Sequence, residues 1–364
     1  MRILRDYIFK EFLKPFGVYL FIFTFVLVSG NLIQLIELII TKGIPIWDII
    51  KLFFWQIPSL LSYILPMAIL TALLFGIGRL SSDLEIAAIK ASGVNLLRLE
   101  IPLVLTGIAF SLFSLILNNE IIPYARFASR KIIKQVGIKN PLAYFEPGTF
   151  IKNFQNYILF FYGINENVLH HIRIYELKEK GFPRTIIAKK GKITSLPDEK
   201  TVKLELFSGT SDEPSPDDPR RFYKLNFKTY IITLKLPDEF AVENLGKKPK
   251  EMNIQELKVE RERFLSQNID ISPLNTEIHK RIALSFACFT FVLIGFPLGA
   301  LIHKKGNAVA FGLSLVVLGL YYLLTIVGEA FSRQGLLNPL FSMWMANISL
   351  GFLGIVLSFF VCRH

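Results

Sequence analysis

Six long apolar runs, divided three and three by a polar block, set the pattern of this chain. The runs are Phe16–Ile40, Ile49–Gly78, Leu99–Ile122, Ile282–Ile302, Ala308–Ala330 and Leu340–Val361. Each is long enough to cross a hydrocarbon core about 30 Å thick as a helix, the longer ones with tilt. Pro58 and Pro66 predict a kink in the second. The intervening block, Pro123–Glu277, changes period. Its β segments are Thr149–Lys152, Tyr157–Tyr162, Ile172–Leu177, Thr185–Lys192, Val202–Ser208 and Tyr223–Leu234. The alternation Lys203, Leu204, Glu205, Leu206 is that of a half-buried strand. Gly163, Pro183, Pro197, Gly209 and the Pro214–Pro219 stretch punctuate the strands as hairpin loops require.

The pattern therefore predicts a membrane α-helical bundle of six transmembrane helices with an inserted all-β domain. The N-terminal half covers 1–122, the β domain 123–277 and the C-terminal half 278–364. Composition agrees, since 52% hydrophobic residues and a mean hydropathy of +0.45 over 364 residues fit a membrane protein carrying one polar domain. Val28-Ser29-Gly30 imitates a signal-peptidase site, but the apolar run continues well past it, which predicts a retained first helix.

Charge placement predicts sidedness. In the short segments that share a side with the termini, Lys and Arg number ten; on the opposite side only Lys42, Lys51 and Arg333 occur. The positive-inside rule then puts both termini in the cytoplasm and the β domain on the far side. The formal net charge of +12 does not indicate nucleic acid, because no clustered basic stripe interleaved with aromatics is present. Cys288 and Cys362 lie in apolar runs with no metal-ligand or disulfide spacing.

The short loop Arg79–Arg98 predicts a helix over about 81–92. Ser82 and Glu85 have capping-box spacing, Asp83 adds charge to the first turn, and Gly93 supplies a stop. Leu84, Ala87, Ala88 and Ala91 fall on one face at i, i+3, i+4 and i+7. Such a shallow apolar face suits a groove on another protein; a surface turn packed back on its own bundle is the alternative.

The segment GRLSSDLEIAAIKASGV, the three-and-three split around a β domain, and a fourth span reading EIHKRIALSFACFTFVLIGFPLGAL together resemble the LptF/LptG permease family. The resemblance covers essentially the whole chain, and spans four to six look more F-like than G-like. It implies the membrane subunit of an ATP-driven lipopolysaccharide exporter in the bacterial inner membrane, with a periplasmic β-jellyroll. The loop helix, with Asp83, Leu84, Glu85, Ala87, Ala88 and Ala91, would be the coupling helix docked on a cytoplasmic LptB-type ATPase dimer. Further implied partners are a second LptF/LptG-type permease, LptC/LptA-type periplasmic jellyroll proteins and lipopolysaccharide itself.

The chemistry absent from the chain is consistent with a permease rather than an enzyme. No P-loop, catalytic Ser/His/Asp elbow, HExxH or ligand-spaced His/Cys cluster occurs, so no catalytic residue, metal or cofactor is expected, and ATP would be used by the partner. His170 and His171 would face opposite sides of a strand. Polar residues in apolar spans are costly and so informative. Asn31, Gln34 and Glu37, with Lys42 beyond, recur along one stretch of span one and would receive a lipid headgroup, or bond neighbouring helices. Relatives often carry Lys or Arg at this level; here Lys42 is the one base. Lys280, Arg281 and Arg333 stand at the mouths of spans four and five, where a guanidinium suits phosphate and where interfacial anchors also occur. Glu329 and Arg333 are spaced for a helix ion pair, and Gly295 and Gly299 for close helix packing. Two further classes share part of this pattern: a mechanotransmitting ABC subunit that carries no lipid, and a periplasmic receptor or scaffold.

Overall fold

The computed structural model describes residues 2–42, 44–139, 148, 150–154, 156–165, 168–177, 184–195, 201–214, 222–235, 246–302 and 306–363. It divides into two compact units, one of residues 1–33, 53–127 and 247–364, the other of 34–52 and 128–246.

Six helices among the described residues are long and apolar enough to cross a membrane. Helix α1 (Arg2–Lys42) begins well before the first apolar run. The charged start of the chain hides an i, i+4 stripe, in which Ile8, Phe12 and Phe16 are buried while Arg5, Asp6 and Lys10 point away or lie at the margin. Helix α2 (Ile46–Ser82) runs through Pro58 and Pro66 without a break, so neither proline ends it. A short helix, α3 (Glu85–Ala91), follows. The third span is composite: α4 (Leu97–Ile116), a π turn over Leu117–Ile121, and α5 (Ile122–Lys139). Pro123 has no N–H to donate, and the wider turn before it accommodates that gap, so the chain continues helically beyond the apolar run. Helix α6 (Ile254–Ser266) carries a true capping box, with Asn253 Oδ1 accepting from Glu256 N at 2.8 Å and Glu256 Oε2 from Asn253 N at 2.9 Å. Then come α7 (Ser272–Leu301), α8 (Gly306–Arg333) and α9 (Pro339–Arg363).

Helices α2 and α7 form the most enclosed part of the bundle. A Cβ placed on Gly299 would stand 2.9 Å from Ile77 Cβ and 3.1 Å from the Leu73 carbonyl oxygen, so the missing side chain lets the two backbones approach. Leu73, Ile77, Phe296 and Ala300 are buried there with Ile8 and Phe12 of α1.

The second unit holds a six-stranded antiparallel sheet in sequence order, an up-and-down meander. Its strands are β1 (Ile151–Phe154), β2 (Tyr157–Asn165), β3 (Val168–Glu176), β4 (Arg184–Ser195), β5 (Thr201–Pro214) and β6 (Phe222–Lys235). Five of the expected β segments fall on strands and the sixth, Thr149–Lys152, does so at Ile151 and Lys152, with Phe150 outside the strand and Thr149 outside the described residues, though residues 123–139 and 254–266 of the expected β region are helical. One face is apolar and register-matched: Leu159 opposes Ile174, Phe161 opposes Ile172, Ile174 opposes Ile186, and Leu204 opposes Ile232. These side chains are almost wholly buried in one cluster, and Tyr230 packs at its margin.

The alternation slips by one residue along a line across the middle strands. Leu169 and Ile172 are both buried on β3, and Ala188 and Gly191 on β4, each pair three apart where strand geometry calls for two or four. His171 (φ 53°) and Ser208 (φ 53°) take left-handed conformations on this line. His170 and His171 therefore do not face opposite sides as a regular strand would require. Both lie off the buried face, the first half-buried and the second exposed.

Candidate functional site

Charged side chains of α7 and α8 converge where α7 starts and α8 ends. Arg281, only 4% exposed, directs Nε and Nη2 to Glu277 Oε1, each at 3.1 Å. Its Nη2 also donates to the Pro249 carbonyl at 3.0 Å and its Nη1 to that of Met252. A buried guanidinium with three protein acceptors is a pin holding the 249–252 segment to α7. Arg281 was expected to present itself to a headgroup; in the structure each of its three guanidinium nitrogens donates to a protein acceptor.

Lys280 and Arg333 are placed differently. Glu329 bridges them, with Oε2 at 2.5 Å from Lys280 Nζ and Oε1 at 2.8 Å from Arg333 Nη2. The second contact is the i, i+4 pair expected from spacing. Arg333 also lies 3.8 Å from Glu277 Oε2 and remains 38% exposed, so its outer edge is open to solvent.

Two cavities adjoin this network. One of about 500 Å³ is lined by Arg126, Lys248, Lys250, Glu251, Glu277 and Arg333. A smaller one of about 130 Å³ reaches inward past Arg126, Lys250, Lys280 and Arg281 to Ser59, Ser62 and Asn118. Asn118, on the π turn, accepts from Ser62 Oγ at 2.9 Å and donates to Ser285 Oγ at 3.2 Å. Among the described residues, half-buried Arg126 and exposed Lys250 have no ion pair or side-chain hydrogen bond. Unneutralised cations on a concave wall beside hydroxyls and an amide make a site for an anion.

At the opposite end of α2, the loop helix is shorter than the predicted 81–92. Ser81 and Ser82 remain in α2, their hydroxyls bonded to the Ala300 and Ile302 carbonyls at 2.7 and 3.4 Å. The capping box does not form: Leu84 enters α3 in a left-handed conformation, and the Glu85 carboxylate accepts from Tyr7 Oη at 2.8 Å. The expected face is nevertheless outward. Leu84, Ala87, Ala88 and Ala91 are exposed with Asp83, while Ile86 is buried beneath them.

The model of the lipopolysaccharide export system permease LptF/LptG matches residues 6–359. The chain belongs to the LptF/LptG permease family. Its relatives include the lipopolysaccharide export system permease protein LptF of Escherichia coli (strain K12), 22% identical over 363 residues covering 98% of this chain and 94% of that protein. The LptF of Shigella flexneri matches to the same extent. An uncharacterized protein of Rickettsia prowazekii (strain Madrid E) is 22% identical over 192 residues, 52% of this chain. With its six apolar helices, this LptF/LptG permease is a multi-pass inner-membrane protein.

In this permease the polar residues of α1 do not gather into one described site. Asn31 bonds neighbouring backbone and side chain, donating to the Leu27 carbonyl at 2.8 Å and accepting from Gln56 Nε2 at 2.5 Å. Gln34 and Glu37 are exposed and belong to the second unit, and the side chain of Lys42 lies outside the described residues. So do the side chain of Cys362 and the pair Lys304 and Lys305. Arg126, Lys248 and Lys250 were missed by reasoning from apolar spans, because they fall in what sequence pattern assigns to the β domain. The run Lys247-Lys248-Pro249-Lys250 just before a capped helix was the available signal.

Proposed function

We propose that this LptF/LptG permease holds an anionic glycolipid, lipopolysaccharide, at the cavity bounded by Arg126, Lys248, Lys250, Lys280 and Arg333, in an exporter powered by a separate ATPase. The observation that carries the reading is a concave wall on which Arg126 and Lys250, among the described residues, have no ion pair, although Glu251 and Glu277 share the lining. Phosphate suits them, since a guanidinium meets two of its oxygens at once and an ammonium adds a point charge. Lys280 and Arg333, both tethered to Glu329, are the cations a phosphate would compete for, which lets binding loosen the α7–α8 contact.

In this reading the cavity opens to the periplasmic side, as the distribution of basic residues predicts. The permease carries no nucleotide-binding motif, so the exposed face of α3 serves as the contact for an LptB-type ATPase. The β domain would receive the lipid from the bundle and pass it to LptC/LptA-type periplasmic partners. A second LptF/LptG-type permease would complete the membrane portion.

The test is lipid binding by the purified complex. Arg126→Ala with Lys250→Ala should lower the affinity for a phosphorylated lipopolysaccharide by at least tenfold, and leave a dephosphorylated lipid nearly unaffected. An equal loss for both lipids, or none for either, would remove the headgroup role from this cavity.

A further inference from the structure

Helix α3 spans only Glu85–Ala91, too short to hold itself in water, so its position depends on what it rests against. Its support is the base of α1. Buried Ile86 packs in the same cluster as Ile8 and Phe12, and Tyr7 Oη donates to Glu85 Oε2 at 2.8 Å. One turn along, Glu11 Oε1 meets Arg79 Nη2 at 2.7 Å, at the end of α2 that leads into α3. A Cβ on Gly76 would stand 2.6 Å from the Glu11 carbonyl oxygen, so the α1 and α2 backbones touch at this level. Beyond Phe16 the grip loosens: Tyr19, Leu20 and Phe23 still pack at the margin of the cluster, with the Tyr19 and Phe75 rings 4.8 Å apart, while Val18, Phe21 and Phe25 are 57%, 73% and 65% exposed.

We propose that Tyr7–Glu85 and Glu11–Arg79 form a polar latch that fixes α3 on the base of α1, so that a load on the outer face of α3 is delivered to α1. This rests on the reading of α3 as the ATPase-facing helix. The geometry explains why Glu85 does not cap its own helix. Its carboxylate is turned to α1, and the left-handed Leu84 provides the sharp entry that makes this possible. Tyr7 is a positioning residue here, touching neither nucleotide nor lipid. The apolar contact through Ile86 alone would leave α3 free to slide along the Ile8–Phe12 stripe; the two polar contacts, one on α3 and one just before it, remove that freedom.

The experiment compares wild type with Tyr7→Phe in the complete permease–ATPase complex, reconstituted in liposomes containing lipopolysaccharide. Two quantities are read: amide exchange over Glu85–Ala91, and lipid extracted per ATP hydrolysed. The latch predicts faster exchange in α3 and a coupling ratio reduced roughly twofold to tenfold, the range of one exposed hydrogen bond, with ATP hydrolysis nearly unchanged. Glu11→Arg and Arg79→Glu should each lower the ratio, and the double exchange should restore it. Unchanged exchange in Tyr7→Phe overturns the latch, and so does faster exchange with an unaltered coupling ratio. Failure of the charge exchange to restore coupling overturns the Glu11–Arg79 half. A wild-type complex that extracts no lipid would overturn the export reading instead, and the exchange comparison would still decide whether Tyr7 holds α3.

Discussion

Arg281→Met is the substitution whose cost follows most directly from the geometry. It removes the guanidinium that meets Glu277 Oε1 twice at 3.1 Å and two carbonyls of the 249–252 segment. Among the described residues, Glu277, 5% exposed, would keep only Arg333 at 3.8 Å. Breaking one side of a buried ion pair costs about 3–5 kcal/mol, chiefly because the remaining charge stays desolvated. Pro249 lines the large cavity, where water can reach its freed carbonyl, so the loss there adds little. Out of a total stability of about 5–15 kcal/mol, that loss is large. It corresponds to a fall in Tm of about 6–20 °C. Thermal unfolding of the purified protein in detergent would measure it, with amide exchange over 249–257 reporting release of the segment. Adding Glu277→Leu should recover a substantial part of the loss, since an apolar pair has no charge to strand. A single variant within about 1 kcal/mol of wild type, or a double variant no better than the single, would refute the argument.

Other sites give sharper readings of single elements. Ala88→Glu keeps a good helix former on an exposed face, so stability should move by less than about 0.5 kcal/mol while ATPase association, followed by co-purification, falls severely. Gly299→Val has no room beside Ile77 Cβ at 2.9 Å and should cost about 1–3 kcal/mol in thermal unfolding. Tyr157, packed in the sheet and donating to Glu176 at 3.0 Å, has its phenol pushed up to about 12, by burial first and then by that carboxylate. Folding therefore favours the neutral phenol, a contribution complete below about pH 10 and lost as pH rises towards 12. Tyr157→Phe should flatten that alkaline limb of the sheet's unfolding.

The period of hydrophobic positions made most of this fold legible, because membrane spans and half-buried strands are the patterns least altered by tertiary context. The six apolar runs are helices, and each expected β segment falls wholly or in part on a strand. What stayed hidden has particular causes. The base of α1 carries its apolar stripe among charges, and the third span continues as a helix past Ile122, where its apolar run ends. The slip of alternation at His171 and Ser208 depends on left-handed residues that no local signal announces. In the candidate site, Lys280, Glu329 and Arg333 were recognisable from position and spacing. The fate of Arg281 was not, because its acceptors at Pro249 and Met252 are distant in the chain. The same distance concealed Arg126 and Lys250, which a cavity unites and sequence order separates.

An ATPase-driven permease for an anionic glycolipid should carry its partners and its lipid through purification from native membranes in mild detergent. Co-purifying proteins and bound lipid would be identified together. The account predicts an ABC ATPase, a second six-span permease and bound lipopolysaccharide, with the lipid lost from the Arg126→Ala, Lys250→Ala variant. An ATPase without lipid would contradict the carrier role and leave a subunit that transmits force alone. Neither ATPase nor lipid, with no ATPase crosslinked to α3 in intact cells, would contradict the exporter itself.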